Sequence, residues 1–548
     1  MDLKQFKTPF LKPALICVVV VLPLFVFGLH DSTDLYQHIQ FASSFHHSIL
    51  NGELYPSWSE EENFGYGSVG MRFYPPLFQF LIALVRTVTG DWHSAICVVL
   101  FAFWFSGAYG IYLWAKEFIS DKEAAVSSIA FLLMPYLLSQ VYTSAFYAQS
   151  CAVSVLPFAF LFVTRICRGG KIADIIGLTI SFSIVILTNL PATVIGALSL
   201  IIYSVSMLER RNLLISIIKL SVAGGLILLA TSFYWTRMYP ELDYFRNTQF
   251  WADPTFDWRE HFLLTKPSKV VFGVWFNNYT LIATMLLAFC GIAGMRVKTT
   301  GERALMIVFF FAVFIMTPLS TPLWQYLPYL KEVQFPGRWQ SITSITAAVI
   351  LGAGAVSLVE NMRLRPSLRN PRLWLAGLTL VAFVVVLGQV ATKYSRHLIP
   401  PKDFSKWCEN DINSLGFEFF WTLETKKEAF GITEKIVSPG RNVKIVSWSH
   451  GEREFTIEPG PASKVRLATL YYPRWQAVIN GERSDPFPDE YGAMNVLVPP
   501  DAATVRVWFQ EKAYVIYSKY VSAAVWLLLL LGAVYFLILN SVFLRMMR

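Results

Sequence analysis

Two acids and two histidines, side chains able to hold or move a proton, follow closely in His30-Asp31-Ser32-Thr33-Asp34-Leu35-Tyr36-Gln37-His38. If this stretch is helical throughout, Asp31, Asp34 and His38 fall at i, i+3 and i+7, close to one face. A carboxylate there can accept a proton from a hydroxyl or bind a cation. The two acids equally suit the start of a helix, where acids commonly cap. Further on, Gly52-Glu53-Leu54-Tyr55-Pro56-Ser57-Trp58, Asn63-Phe64-Gly65-Tyr66-Gly67-Ser68 and Phe73-Tyr74-Pro75-Pro76-Leu77 mix aromatic residues with glycine. Aromatic faces suit the C–H surface of a sugar, which makes Trp58, Tyr66 and Tyr74 candidates for substrate contact. An aromatic belt at a membrane interface has the same composition. In Phe335-Pro336-Gly337-Arg338, proline stops a loop and glycine frees the backbone. The guanidinium of Arg338 then offers a fixed fork of donors for phosphate oxygens. Beside Trp339 it also reads as an interfacial anchor. Arg72 and Lys331 are the alternative cations.

The elements that must position these residues lie in a membrane. Of the 548 residues, 55% are hydrophobic and 15% charged, against about 25% charged in soluble proteins. A chain this apolar cannot cover its surface in water. A spanning helix needs about 20 apolar residues. Candidate spans fall near 11–29, 93–114, 124–140, 151–166, 172–189, 190–208, 213–235, 274–295, 304–320, 339–359, 373–392 and 516–541. The connectors rich in lysine and arginine then all share one side with both termini, so the positive-inside rule predicts twelve spans with both ends cytoplasmic. That placement, rather than nucleic acid, accounts for the net charge of +9. Tyr74–Thr89 breaks the pattern: it is short, follows two prolines and carries Arg86. It is expected to lie on the outer face without crossing. The first outer loop then runs over about 30–92.

The expected fold class is a mainly α, polytopic helical membrane bundle with a small outer β-sandwich. The expected domains are 1–392 for the bundle, 393–515 for the β-rich domain and 516–548 for the last span and its tail. Residues 393–515 alternate polar and apolar at Val443-Lys444-Ile445-Val446, Val465-Arg466-Leu467 and Val505-Arg506-Val507-Trp508, with turns at Asn480-Gly481 and Pro499-Pro500-Asp501. That is the pattern of strands and turns. A lone cysteine there, Cys408, excludes an internal disulfide framework. No Walker, C-x-x-C or G-x-G-x-x-G motif occurs, so nothing points to an ATPase, a zinc enzyme or a nicotinamide enzyme.

The order of motifs resembles a known family. His-Asp after the first span, Leu54-Tyr55-Pro56-Ser57-Trp58, Gly65-Tyr66-Gly67 and Tyr74-Pro75-Pro76-Leu77 look like the GT-C superfamily of polytopic glycosyltransferases. Within it they are most similar to the bacterial membrane proteins labelled 6-pyruvoyl-tetrahydropterin-synthase-related. Val333-Gln334-Phe335-Pro336-Gly337-Arg338-Trp339 resembles that group's Gln-Phe-Pro-x-Arg signature. Tyr471-Tyr472-Pro473-Arg474-Trp475-Gln476-Ala477 with Asn480-Gly481 resembles the start of its outer domain.

The resemblance implies transfer of a sugar from a polyprenyl-phosphate donor to a glycan, lipid or protein acceptor outside a bacterial inner membrane. It implies Asp31 as general base, with Asp34 and His38 in support. Arg338, a divalent cation (Mg or Mn), or both would meet the leaving phosphate. The second outer loop departs from the group: it reads Tyr142-Thr143-Ser144-Ala145-Phe146-Tyr147-Ala148-Gln149, with no acid, which weakens the case for the cation. Thr188-Asn189-Leu190-Pro191 stands where the group tends to carry His before Asn, and Asn189 joins the candidates for substrate contact. A transporter or flippase for a lipid-linked substrate, and a noncatalytic protein of envelope-glycan assembly, are the competing readings. The first would favour internal repeats, which the chain lacks. The second would use Trp421, Trp448 or Trp475 on the outer domain. Asp243 and Asp253 are the reserve acids.

Overall fold

A computed structural model describes residues 10–245, 256–265, 274–295, 297, 299–364, 370–412, 415–416 and 418–546. Asp253 lies outside them. Among the described residues nine helices are long and apolar enough to cross a membrane, from Trp92–Ala115 to Ala513–Phe536. Thr300–Ile315 with Pro318–Tyr326 would make a tenth, bent by 93° at the break. Leu11–Phe27 and Ile172–Thr188 are apolar but only 17 residues long, about 26 Å at 1.5 Å per residue against a hydrocarbon core of about 30 Å. All twelve apolar runs are helical among the described residues: nine are full-length candidates, the bent pair makes a tenth, and the two 17-residue helices stand at the short end of the about 17–25 residues that cross a bilayer. Asn189 ends Ile172–Thr188 and begins Leu190–Met207, where it accepts from Ala192 N at 2.9 Å.

Close packing replaces hydrophobic drive inside such a bundle. Helices Val274–Gly294 and Gln340–Leu364 meet backbone to backbone, and a Cβ on Gly354 would lie 1.8 Å from Gly291 O. The end of the bundle opposite the β-rich domain carries ion pairs: Glu117 takes Arg165 and Arg168, and Lys116 takes Asp121.

At the other end, residues 30–92 form the helices Thr33–Leu50, Gly70–Phe73 and Leu77–Thr89. The last has 13 residues, about 20 Å of helix, too short to span. It runs parallel to Thr33–Leu50, with Gln79 against His38 and Thr87 against His46. Helix Pro371–Arg396 leaves the bundle and leads to Leu398–Ile399, which pairs antiparallel with Leu29–His30. The chain then builds two antiparallel sheets. Ile436–Val437, Ser463–Leu470, Ala493–Val498 and Phe487–Pro488 form one in that order. Val443–Ser449, Glu452–Ile457, Ala503–Phe509, Trp475–Ile479 and Glu482–Ser484 form the other. Asn480 and Gly481, at φ +51° and +90°, make the tight turn between Trp475–Ile479 and Glu482–Ser484, as left-handed positions allow.

Four distant segments meet in one buried ion cluster. Arg72 gives Glu511 a bond of 2.6 Å and Glu241 one of 2.7 Å. Arg474 reaches Glu241 at 2.7 Å, Tyr472 donates to it at 2.6 Å, and Arg237 stands 3.5 Å from Glu511. Burial works to raise the Glu511 carboxyl, but Arg237 and Arg72 outweigh it and hold it at about 2. Removing one member of a buried pair typically costs about 3–5 kcal/mol. Arg72→Met should therefore lower thermal stability in detergent by about that amount. Arg506→Met, which breaks an exposed pair with Glu452, should leave the unfolding temperature nearly unchanged, because solvent screens such a pair.

Candidate active site

The stretch from His30 to His38 is not one helix. His30 lies in the short strand, Ser32 is the extended N-cap residue, and the helix begins at Thr33. Asp31 therefore leaves the face expected for it, and only Asp34 and His38 share a helical surface. The Asp31 amide donates to His397 O at 2.7 Å, and its side chain is exposed. Burial of the carboxyl still pushes its pKa above the ordinary value, partly offset by His397.

Asp34 is half-buried and faces Arg338. Among the described residues the two form no direct ion pair. Burial raises the Asp34 carboxyl to about 6, against the pull of Arg338. Arg338 is held from behind by its own loop: one Nη donates to Val333 O at 3.0 Å and to Gln334 Oε1 at 3.3 Å, and the guanidinium lies 4.9 Å over the Phe335 ring. Gln334 at φ +66° turns the chain, and one turn of 3-10 helix, Pro336–Trp339, delivers Arg338 to the start of the next span. Its charge looks onto Tyr136, Asp34 and Tyr74.

His38 is buried between Phe78 and Tyr147, with Nδ1 3.1 Å from Gln79 Nε2. Burial drives its pKa to about 3, against a backbone contact with Ala145, so it is a neutral ring near pH 7. Ser32 Oγ donates to Ser144 O in the second loop at 3.2 Å, which packs that loop against the Asp31–Asp34 turn. Gln149 Nε2 donates to Tyr136 OH at 3.0 Å. Among the described residues the lining is thus one carboxylate, one guanidinium and a set of neutral polar groups.

Other expected residues lie elsewhere. Trp58 packs edge-on to Trp475 at 5.1 Å, and a Cβ on Gly67 would meet its ring at 2.3 Å. Tyr66 OH donates to Ile432 O at 2.6 Å and accepts from Arg466 at 2.8 Å. Both rings belong to the core of the β-rich domain, with no free face for a sugar, so their motifs dock the first loop onto that domain. Trp421 and Trp475 are buried as well. Arg72 is taken up by Glu241 and Glu511. Asn189 caps a helix, and Lys331 is exposed on a short 3-10 turn. Asp243 stands in the 3-10 segment Tyr239–Tyr244. Tyr74, by contrast, joins Asp34 and Arg338. Among the described residues no three His, Cys, Asp or Glu side chains gather to hold a metal ion. A cation bound only by side chains of the described residues therefore does not fit this cluster.

A family model described as 6-pyruvoyl-tetrahydropterin synthase related domain, membrane protein, matches residues 71–397. The chain belongs to this family. It is accordingly a multi-pass membrane protein. No curated protein matches its sequence. Among solved structures it is similar to ArnT from Cupriavidus metallidurans bound to undecaprenyl phosphate, at 10% identity and a TM-score of 0.40, over 75% of this chain and 74% of that one. It is similar to arabinofuranosyltransferase AftD from Mycobacteria at 14% and 0.46, over 73% of this chain and 29% of that one. The Archaeoglobus fulgidus oligosaccharyltransferase gives 13% and 0.45, over 75% and 60%.

Tyr136, Gln149 and Gln79 were not singled out in the sequence. Their one signal is a polar side chain inside an apolar run. Because the fold raises the Asp34 pKa above its unfolded value, the ionised form is the disfavoured one. The penalty is complete above about pH 6 and disappears below about pH 4. Asp34→Asn should therefore be more stable than the parent at pH 7, by about 1–3 kcal/mol, and equal to it at pH 4. Thermal unfolding at the two pH values decides; a less stable variant at pH 7 would mean that attraction to Arg338 outweighs burial.

Proposed function

We propose that the protein is a glycosyltransferase of the bacterial inner membrane. On this reading both termini are cytoplasmic and the Asp31–Asp34 turn lies outside. The donor is a polyprenyl-phosphate sugar and the acceptor a glycan, lipid or protein hydroxyl. The observation that carries the reading is a guanidinium at the head of a span, in no ion pair among the described residues and turned toward a carboxylate among neutral polar groups. A permanent ion pair would leave no room for a phosphate. A fork held at one Nη but with Nε lacking a partner offers one its place beside the bilayer.

The acceptor oxygen attacks the anomeric carbon, and the bond from that carbon to the phosphate oxygen breaks with its electron pair going to the phosphate. Arg338 stabilises the charge that develops there. The base must stand on the other side of the sugar carbon from the leaving oxygen. Asp31, exposed and three residues before the acid that faces Arg338, takes the acceptor proton; Asp34 orients the guanidinium. A carboxylate at the rim costs less to keep ionised than one at mid-membrane, where the cost is about 2.5–3.5 kcal/mol or more.

Asp31→Asn should lower kcat by about 10²–10⁴-fold at normal expression, and Asp34→Asn by less, in a membrane transfer assay with the native donor. Full transfer by Asp31→Asn would remove it as the base. Arg338→Lys keeps the charge but loses the fork, so donor binding and turnover should both fall. The acid limb of kcat/KM should lie above the ordinary Asp value of about 3.9. His397→Ala should move it further up, because the His397 side chain draws the Asp31 pKa down.

A further inference from the structure

Two glutamines stand beside the Asp34–Arg338 pair with their hydrogen-bonding capacity unused. Gln37 follows Asp34 by three residues on Thr33–Leu50, about 60° round the helix. Gln140 follows Tyr136 by four residues on Pro135–Tyr142, on the same face and about 6 Å further toward the second loop. Tyr136 is the ring that meets Gln149 and Ser341 and faces Arg338. The second loop joins the two helices: Phe146 N donates to Gln140 O at 2.9 Å, and Ser144 O accepts from the Ser32 hydroxyl at the foot of the other helix. Gln37 and Gln140 are 6% and 4% exposed. The Oε1 atom of each is buried with no hydrogen-bond partner among the described residues.

A buried acceptor without a donor carries the full cost of its desolvation. Two amide oxygens and the Asp34 carboxylate make this side of the site rich in acceptors. The ligand that completes it must bring O–H groups and no negative charge of its own.

We propose that Gln37 and Gln140 accept hydrogen bonds from hydroxyl groups of the transferred sugar, and that this sugar carries no carboxylate. With its phosphate on Arg338, a uronic acid would bring a second anion among Asp34 and the two amide oxygens. No other cation among the described residues lines the site to receive it. Like charges set together without a partner lower affinity by at least about 100-fold. A neutral hexose instead donates to both oxygens, each bond contributing about two- to tenfold. Gln37 and Gln140 therefore choose the sugar, while Arg338 holds the phosphate common to every donor. That the sugar is transferred rests on the glycosyltransferase reading; its recognition through hydroxyl hydrogens does not.

Methionine has nearly the volume of glutamine and no amide, so Gln37→Met and Gln140→Met remove the acceptors without opening a cavity. The full chain in nanodiscs is given undecaprenyl phosphate, its glucose, galactose and mannose derivatives, and the three matching uronic acid derivatives; binding and transfer are measured separately. The parent should bind at least one hexose lipid about 100-fold more tightly than its uronic acid counterpart. Each variant should bind that hexose lipid about two- to tenfold more weakly and the sugar-free lipid as the parent does. Without ligand both variants should unfold at the parent's temperature or above it, because an unpartnered buried oxygen is gone. Equal binding of hexose and uronic acid lipids would overturn the proposal. So would hexose lipids that bind no better than the sugar-free lipid, or unchanged hexose binding in both variants. A lower unfolding temperature with equal loss of the sugar-free lipid would make the glutamines structural and overturn it as well. A parent that selects the hexose lipid through both glutamines yet transfers sugar from none of the donors would retire the transferase reading and leave this one standing. Transfer of hexose and uronic acid with equal kcat/KM would do the reverse.

Discussion

The burial of Glu241 and Glu511 is the constraint on which the architecture turns. Two carboxylates taken out of water must be matched by cations, and no local segment supplies them. Arg72 comes from the first loop, Arg237 from the end of a span, Arg474 from the β-rich domain, and Glu511 stands just before the last span. Three arginines meet two glutamates, and the surplus charge at Arg237 lies 4.7 Å over the ring of Tyr55, an attraction that needs no counter-ion. Because a charge left alone there is so costly, the segments cannot drift apart one at a time. The β-rich domain is thereby fixed to the bundle, with the first loop locked between them.

That rigidity is what lets the candidate site stay charged yet unpaired. Helices Thr33–Leu50 and Leu77–Thr89 lie side by side beneath the docked loop, so Asp34, His38 and Tyr74 are delivered from one surface. Arg338 comes from another, braced by Val333 O and the Phe335 ring. Acid and guanidinium face each other without collapsing into a bond because each backbone is held by something else. Donors fixed in place before charge develops cost no reorganisation when it does.

Much of the chain's organisation was legible in its sequence because the bilayer imposes simple one-dimensional rules. Apolar run length located all twelve membrane-domain helices, and the short run at Leu77–Thr89 was separable by length and its two prolines. Alternation and Asn480-Gly481 located strands and a hairpin, since both depend on neighbours two to four residues apart. Family membership was legible from the order of motifs. Helix ends were less so: Leu11–Phe27 and Ile172–Thr188 stop one or two residues inside the expected runs, where caps decide.

Tertiary structure alone decided what each motif is for. Trp58, Tyr66 and Tyr74 looked alike as aromatic residues among glycines, yet two pack inside the β-rich domain and one faces Arg338. Asp31, Asp34 and His38 could share a helix face only if the helix began before Asp31. The pairing of Leu29–His30 with Leu398–Ile399 forces an extended backbone there and sends Asp31 to a different surface. Arg72 and Arg338 were equivalent as cations, but one is consumed by acids at positions 241 and 511 and the other faces Asp34 without a direct ion pair among the described residues. These outcomes depend on contacts between residues tens to hundreds of positions apart. Such contacts are set by burial energy over the whole fold and leave no periodic trace in the sequence.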